Sequence, residues 1–438
     1  MFYLVEDISK FEKLKEERCY VDVITTNNLF HPKLTTLIGL YIRPLSHNQG
    51  YILPIDHPEG LNMSFSTISS LLSEYKQIFT PDRKYLLYYG ISKNVYDLSL
   101  LYSMNTYQKI DSELYSNLQN YYSQKYPDYK DINKLIPLSK LHEMFEDRFK
   151  RMEKCIDLSL PEGYDFFNTV ASNVFYLVEQ QGLGVYYEEF KRLFTPREVR
   201  RNTQDNITYT YYNLYNSTGR PTNSFNSVNY AAIPKTVEHR KCFKPQNDIF
   251  VEFDFDGYHL RLLCELIDYP LTNESAHMQL AKLYYGKETI TEDEYSQAKN
   301  TNFHALYGKI PEKYAFLDIF TKLDNFIKKM WEEYQTKGQI TVPYSGKTFT
   351  KEVGITNPQK LMNYFMQSLE SSRNIHILRN VLGHIKSMRS KVCLYTYDSV
   401  LVDVSYKDGQ DIVQQIQTVL EENNKYPVKI KYSENLVF

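Results

Sequence analysis

The first 160 residues alternate between β-branched or aromatic runs and stretches of helical spacing. CYVDVITT (19–26), LTTLIGLYIRPL (34–45) and QGYILPID (49–56) are broken by Pro, Asn and Gly, and predict three strands. Helical spacing follows over 64–79. KYLLYYG (84–90) predicts another strand, and a helix is expected from about Val95. Such alternation predicts an α/β domain. Residues 107–160 are rich in Tyr and Lys, and mostly of helical spacing.

The pattern continues with a helix over 165–181, closed by Gly182 as C-cap. Residues 202–230, rich in Asn, Thr and Ser, read as irregular. FVEFDFD (250–256) predicts an alternating strand, with a helix starting near Gly257. A strong helix spans 292–307 with Thr291 as its N-cap, and further helices cover 312–336 and 358–388. KVCLYTYDSVLVDV (391–404) predicts a hairpin with a tight turn at Asp398 and Ser399. One helix and one strand finish the chain.

Composition narrows the picture. The 438 residues carry 51 Lys+Arg against 53 Asp+Glu, so any grip on nucleic acid comes from local clusters such as 191–201, 235–244 and 379–391. The five cysteines are scattered without a CxxC pair, which argues against a zinc site or a disulfide framework. The N-terminus lacks a signal-like apolar run, and no segment approaches the roughly 18 apolar residues of a membrane span. The expectation is a soluble, cytoplasmic protein without membrane partners. Forty tyrosines, with many Lys, Asn and Ile, suggest an AT-rich coding genome.

Two carboxylates stand at strand-associated positions, Asp254 and Asp398. Between them, Lys299, Phe303 and Tyr307 share one face of a helix at i, i+4, i+8. Phosphoryl transfer needs positioning and charge neutralisation more than covalent help. Two carboxylates can hold hard Mg²⁺ ions, a lysine can hold a triphosphate, and an aromatic can stack on a base or sugar. Each element alone is commonplace, since an Asp in a turn and an amphipathic helix have ordinary structural readings.

The wording of the segments, taken in order, is more specific. DFDGYHLR (254–261) is similar to the D-Y-S-Q-I-E-L-R motif of family A DNA polymerases, the bacterial polymerase I type. YSQAKNTNFHALYG (295–308) resembles the R-x-x-x-K-x-x-x-F-G-x-x-Y-G motif, and TYDSV (396–400) resembles V-H-D-E-V. TGR (218–220), NYAAIP (229–234), the R-x-x-F of 240–243 and the N-x-x-x-Q of 363–367 follow the same family pattern. The resemblance runs over roughly 165–438. It implies an α/β exonuclease-like (RNase H-like) N-terminal domain over 1–160, and a linker helix with a much reduced thumb over 161–217. An α+β right-hand polymerase domain of palm and fingers would follow over 218–438.

The resemblance also implies roles. Asp254 and Asp398, with the Phe255 carbonyl, would hold two Mg²⁺ ions, with Mn²⁺ as a substitute. Lys299 would bind the triphosphate of a dNTP, Phe303 would pack by the sugar, and Tyr307 would stack at the templating pair. Arg220, Asn229, Arg261, Asn363, Gln367 and Tyr397 would contact primer-template DNA. His259 replaces the family's Glu, which puts sugar discrimination in question. Asp256 stands where Ser is usual, as an extra metal-side carboxylate or an exposed acid. Tyr295 replaces an Arg, which removes one phosphate contact. Ser399 matches the H-D-S of the related single-subunit RNA polymerases. RNA or primer synthesis is therefore an alternative, for which His259→Glu should sharpen preference for dNTPs. A non-catalytic nucleic-acid-binding protein is another alternative, but it would not need both aspartates.

In the N-terminal domain Asp22 fits the nuclease's D-x-E, but Ile24 replaces the Glu and cannot ligate Mg²⁺. Asp97 fits its Y-D, and Asp147 beside Glu146 is a degenerate third candidate. The expectation is a nuclease fold without proofreading. Only about thirty residues separate the helix end near Val185 from Thr218, where the family has over a hundred. Weak processivity follows, or grip borrowed from a processivity or replisome partner. The compact form is expected of a phage or mobile-element enzyme.

Overall fold

Seven of the eight residues of RCYVDVIT are buried, because the strand they form, β1 (Arg18–Thr25), lies in the middle of a five-stranded sheet. Its neighbours are β2 (Leu37–Pro44), β3 (Tyr51–Pro54), β4 (Gln77–Thr80) and β5 (Val95–Asp97), in the order β3-β2-β1-β4-β5. β1, β2 and β3 are successively antiparallel, whereas β4 and β5 run parallel to β1. On one face Val21, Val23, Leu40 and Ile42 pack with Ile68 and Leu72 of helix α1 (Phe65–Ser73). Tyr20 meets Phe149 edge to face at 5.1 Å.

The chain departs from the expected pattern after α1. The strand is QIFT, and KYLLYY belongs instead to helix α2 (Arg83–Tyr88). Aromatic and leucine residues fit either period, and the N-cap decides: Asp82 accepts from the Lys84 N–H at 2.9 Å. Likewise Val95 starts a three-residue strand, and the helix expected there begins later as α3 (Leu98–Thr106), capped by Asp97. α4 (Leu138–Met152) is strongly amphipathic, with Leu141, Phe145 and Phe149 buried.

This computed structural model describes residues 17–438 except 112–116, 128, 224–226, 235 and 423–424. They fall into two units. One comprises the described residues of Met1–Tyr176, Lys191–Tyr211 and Ser224–Val228, and holds the sheet above. The other comprises Leu177–Phe190, Tyr212–Asn223 and Asn229–Phe438. In place of one uniform helix over 165–181, a π-helical stretch Phe166–Ala171 precedes α-helix Ser172–Glu179. Residues 186–217 form two seven-residue helices, Tyr187–Leu193 and Pro196–Asn202, and two-residue strands.

The second unit centres on an antiparallel four-stranded sheet. β6 (Ile249–Phe255) lies between β8 (Ser399–Val404) and β9 (Val428–Ser433), and β7 (Lys391–Thr396) pairs with the far side of β8. Phe250, Val251, Phe253 and Phe255 are buried. The longer helices of the unit are α5 (Tyr258–Leu266), α6 (Ala276–Tyr285), α7 (Glu292–Tyr307), α8 (Asp318–Lys337), α9 (Pro358–His384) and α10 (Ile412–Glu421). α7 begins at Thr291 with a full capping box, in which Thr291 and Glu294 bond each other's backbone N–H. α9 is buried on nearly every side, so polar residues on it must find partners. No helix among the described residues is long and apolar enough to cross a membrane.

Candidate active site

The sheet register sets the site. Asp254, the last residue but one of β6, stands opposite Ser399 on β8 and Lys429 on β9. The β7–β8 turn comprises Tyr397 and Asp398, one residue earlier than the pattern predicts, because Thr396 pairs with Ser399. Tyr397 takes a left-handed φ of 60°, unusual for a bulky residue, and Asn374 of α9 donates to its carbonyl at 2.9 Å. The Phe255 N–H donates to the Asp398 carbonyl at 3.0 Å and fixes the two strand ends together.

Above this corner opens a cleft of about 370 Å³, whose walls come from β6, the β7–β8 turn and helices α5, α7 and α9. Asp254, Phe255 and Asp398 line its floor. Lys299, Phe303 and Tyr307 line it from α7, and Asn363 and Gln367 from α9. Arg220 and His259 also face it. Ten sequence-predicted residues, more than a hundred positions apart at the extremes, thus share one cavity. The Gln367 amide donates to Asn363 at 2.8 Å, which orients both.

The electrostatics favour a cation at the floor. Loss of hydration, then the charges of Glu370 and Asp254, push the Asp398 carboxyl up from 3.8 to about 6. Asp254 is raised too, by burial and by Glu252, against the pull of Lys431 and Lys429. Two carboxylates that repel each other in a partly desolvated cleft suit a hard divalent ion, which both could ligate.

Two expectations, for Arg261 and Asp256, need correction. Arg261 is buried and does not reach the cleft: its guanidinium donates to the carbonyls of Asp256, Thr272 and Glu274 at 3.0, 3.0 and 2.7 Å, and so fixes the loop after α5. Asp256 is not an exposed acid but is buried, with Lys429 at 2.6 Å and Arg261 at 3.6 Å. Asn229 is exposed, precedes a short 3₁₀ turn, and is not part of the cleft lining. Tyr397 lies under the Arg220 guanidinium at 3.8 Å, so it supports Arg220.

The sequence reading missed Glu370 and His277. Glu370 is 1% exposed on α9 and bridges two site residues: Arg220 at 2.9 Å and the His259 Nε2 at 3.1 Å. The other ring nitrogen of His259 bonds the Tyr307 hydroxyl. A chain Arg220–Glu370–His259–Tyr307 therefore crosses the cleft. The available signal was a lone acid among the uncharged residues of FMQSLESS (365–372). His277 on α6 is bonded by Asn302 at 2.9 Å, and burial lowers it to about 4, so it is neutral at pH 7. Nothing in its local sequence distinguishes it.

The first unit's candidates are engaged elsewhere. Arg148 donates to both Asp22 oxygens, at 3.2 and 3.0 Å, and Tyr20 donates to one of them. Asp97 caps α3 by accepting from Leu100 and also accepts from the Arg83 N–H. Asp147 is exposed and pairs loosely with Arg151 at 3.8 Å, while its neighbour Glu146 bonds Tyr41 and Arg43.

No protein-family model matches the chain. Over 275 residues it is 24% identical to the DNA polymerase I of Synechocystis sp., a match that covers 50% of this chain and 28% of that protein. The fold aligns with the POL domain of Pol1 from M. smegmatis, in a complex with DNA primer-template and dNTP. The TM-score is 0.68 at 14% identity, covering 100% of this chain and 99% of that one. The chain is thus similar in sequence to part of a DNA polymerase I, and in fold to the POL domain of a Pol1. The chain spans less than a third of the length of the curated relative it matches.

Proposed function

We propose that this family A-like chain is a template-directed DNA polymerase that adds dNTPs to a primer 3′-OH. The observation that carries the reading is the convergence of Asp254, Asp398 and Lys299 on one cleft. Asp254, Asp398 and the Phe255 carbonyl would hold the divalent ions, Mg²⁺ first. Such ions neutralise charge on the attacking and leaving oxygens. Lys299 then holds the triphosphate, Phe303 and Tyr307 pack against sugar and templating pair, and Arg220, Asn363 and Gln367 contact the primer-template. Extension of a primed template with Mg²⁺ and dNTPs, against rNTPs, tests this. Absence of template-directed extension defeats it, and preferential use of rNTPs moves the chain to the RNA-synthesising alternative.

Proton and metal compete for Asp398. Its folded pKa lies above its ordinary value, so the metal-free fold is penalised above about pH 6, and the penalty fades as pH falls from 6 towards 3.8. The protonated acid is also the poorer ligand. The Mg²⁺ concentration needed for half-maximal extension should therefore rise as pH falls below 6. A metal titration on either side of pH 6 checks it.

His259→Glu, expected from sequence to sharpen sugar choice, acquires a different forecast. It sets a second carboxylate against Glu370, whose oxygen lies 3.1 Å from the His259 ring. We expect lower thermal stability and slower extension, both relieved by adding Glu370→Gln.

The finer organisation belongs to the same proposal: a nuclease-like domain over 1–160, a reduced thumb over 161–217, and palm and fingers over 218–438. Support for an RNase H-like first domain is the mixed sheet order β3-β2-β1-β4-β5. Support for absent proofreading is Arg148, which already supplies Asp22 with a cation. Short helices over 187–202 accord with a small thumb, and thus with weak processivity or a partner that supplies grip. Degradation of a 3′-mismatched primer without nucleotides would remove the first claim, and long products from single encounters under a DNA trap the second.

A further inference from the structure

A nucleoside triphosphate brings several negative charges into the cleft, and three cationic side chains line it: Arg220, Lys299 and Lys429. Arg220 is spent on Glu370 and stacked on Tyr397. Tyr295, one turn before Lys299 on α7, carries no charge there, and His277 is neutral. Among the described residues that line the cleft, the two lysines are left for phosphate.

Lys429 is placed by the sheet rather than by any local motif. On the edge strand β9 it stands directly opposite Asp254, and its side chain is half exposed to the cleft. Lys299 and Lys429 both line this cavity, as does His277. The present partner of Lys429 is Asp256, at 2.6 Å. That carboxylate has further partners on its other oxygen: it accepts from the Ala276 N–H at 2.9 Å and lies 3.6 Å from the buried Arg261. Lys429 can therefore turn towards an incoming anion while Arg261 still compensates the buried charge of Asp256. We propose that Lys429 is the second phosphate-binding cation of the site, holding the polyphosphate of the nucleotide together with Lys299. The proposal rests on the polymerase reading. It deepens that reading by assigning nucleotide affinity to the last strand of the chain.

Single-nucleotide incorporation by the full chain tests it, with Lys429→Met, Lys429→Gln and Lys429→Arg. Without this one charge-assisted hydrogen bond to phosphate, the KM for dNTP should rise about tenfold or more in the Met and Gln variants, with kcat changed much less. Arginine should bring KM back to within about threefold of wild type, as a purely structural lysine would not require. Lys431→Met, two residues along the same strand and outside the cleft lining, separates direct binding from the general field. An unchanged KM in Lys429→Met overturns the proposal, and so does an equal rise in Lys431→Met. Calorimetric titration with inorganic tripolyphosphate and Mg²⁺, without DNA, separates this proposal from the polymerase reading. If the wild type extends no primer yet binds tripolyphosphate through Lys429, the polymerase reading falls and the phosphate site stands. Binding that ignores Lys429, or no binding at all, removes the site.

Discussion

Asp398→Ala is expected to abolish primer extension and leave the protein at least as stable as wild type. The two effects have one cause. Asp398 sits at a turn tied to β6 by the Phe255 N–H, but that bond uses its backbone carbonyl, which alanine keeps. Its carboxylate is a liability to the fold, since lost hydration and the neighbouring charges of Glu370 and Asp254 disfavour the ionised form. Removing it relieves that repulsion, so the melting temperature should hold or rise. Catalysis loses half of the paired carboxylates that would bind metal. By analogy with removal of a single electrostatic group elsewhere, a loss of about 10³-fold or more is expected, or about 4 kcal/mol of transition-state stabilisation. Steady-state extension and thermal unfolding on the same preparations read both. A clearly lowered melting temperature would mean that Asp398 serves the fold, and extension within tenfold of wild type would remove it from the chemistry.

Much of the site was legible because its residues lie in short motifs with fixed spacing. Lys299, Phe303 and Tyr307 follow one helix face whose start is signalled by Thr291 and Glu294, and the structure brings that face to Asp254 and Asp398. What could not be read is pairing across strands and between helices. Lys429 opposite Asp254 is a matter of sheet register, and Glu370 against His259 of two helices meeting. Neither leaves a local pattern. Arg261 was misread for the complementary reason. A charged residue in a functional motif can be there to hold a loop, and only its three carbonyl partners reveal it. In the first domain, the strand of KYLLYY failed because aromatic and leucine runs satisfy both periods, and one cap at Asp82 settles the outcome.

Glu370→Ala should be the most destabilising substitution in the cleft. The Glu370 carboxylate is 1% exposed, and its partners Arg220 and His259 are 22% and 16% exposed. Alanine leaves the Arg220 guanidinium facing a cavity without its counter-charge. Breaking one side of a largely buried pair costs about 3–5 kcal/mol. Glu370→Gln keeps shape and one acceptor, and should cost less, about 1–3 kcal/mol. If the bridge is the cause, Arg220→Ala added to Glu370→Ala should cost much less than the sum of the two, which denaturant unfolding of the cycle measures. Glu370 also raises the Asp398 carboxyl, so its neutralisation should shift the acid limb of extension to lower pH. A residue that merely fills space on α9 would move stability but not that limb. Additive unfolding energies with an unmoved acid limb would assign Glu370 to packing alone. Strong coupling with a shifted limb identifies it as the residue that positions Arg220 and His259 around the metal-side aspartates.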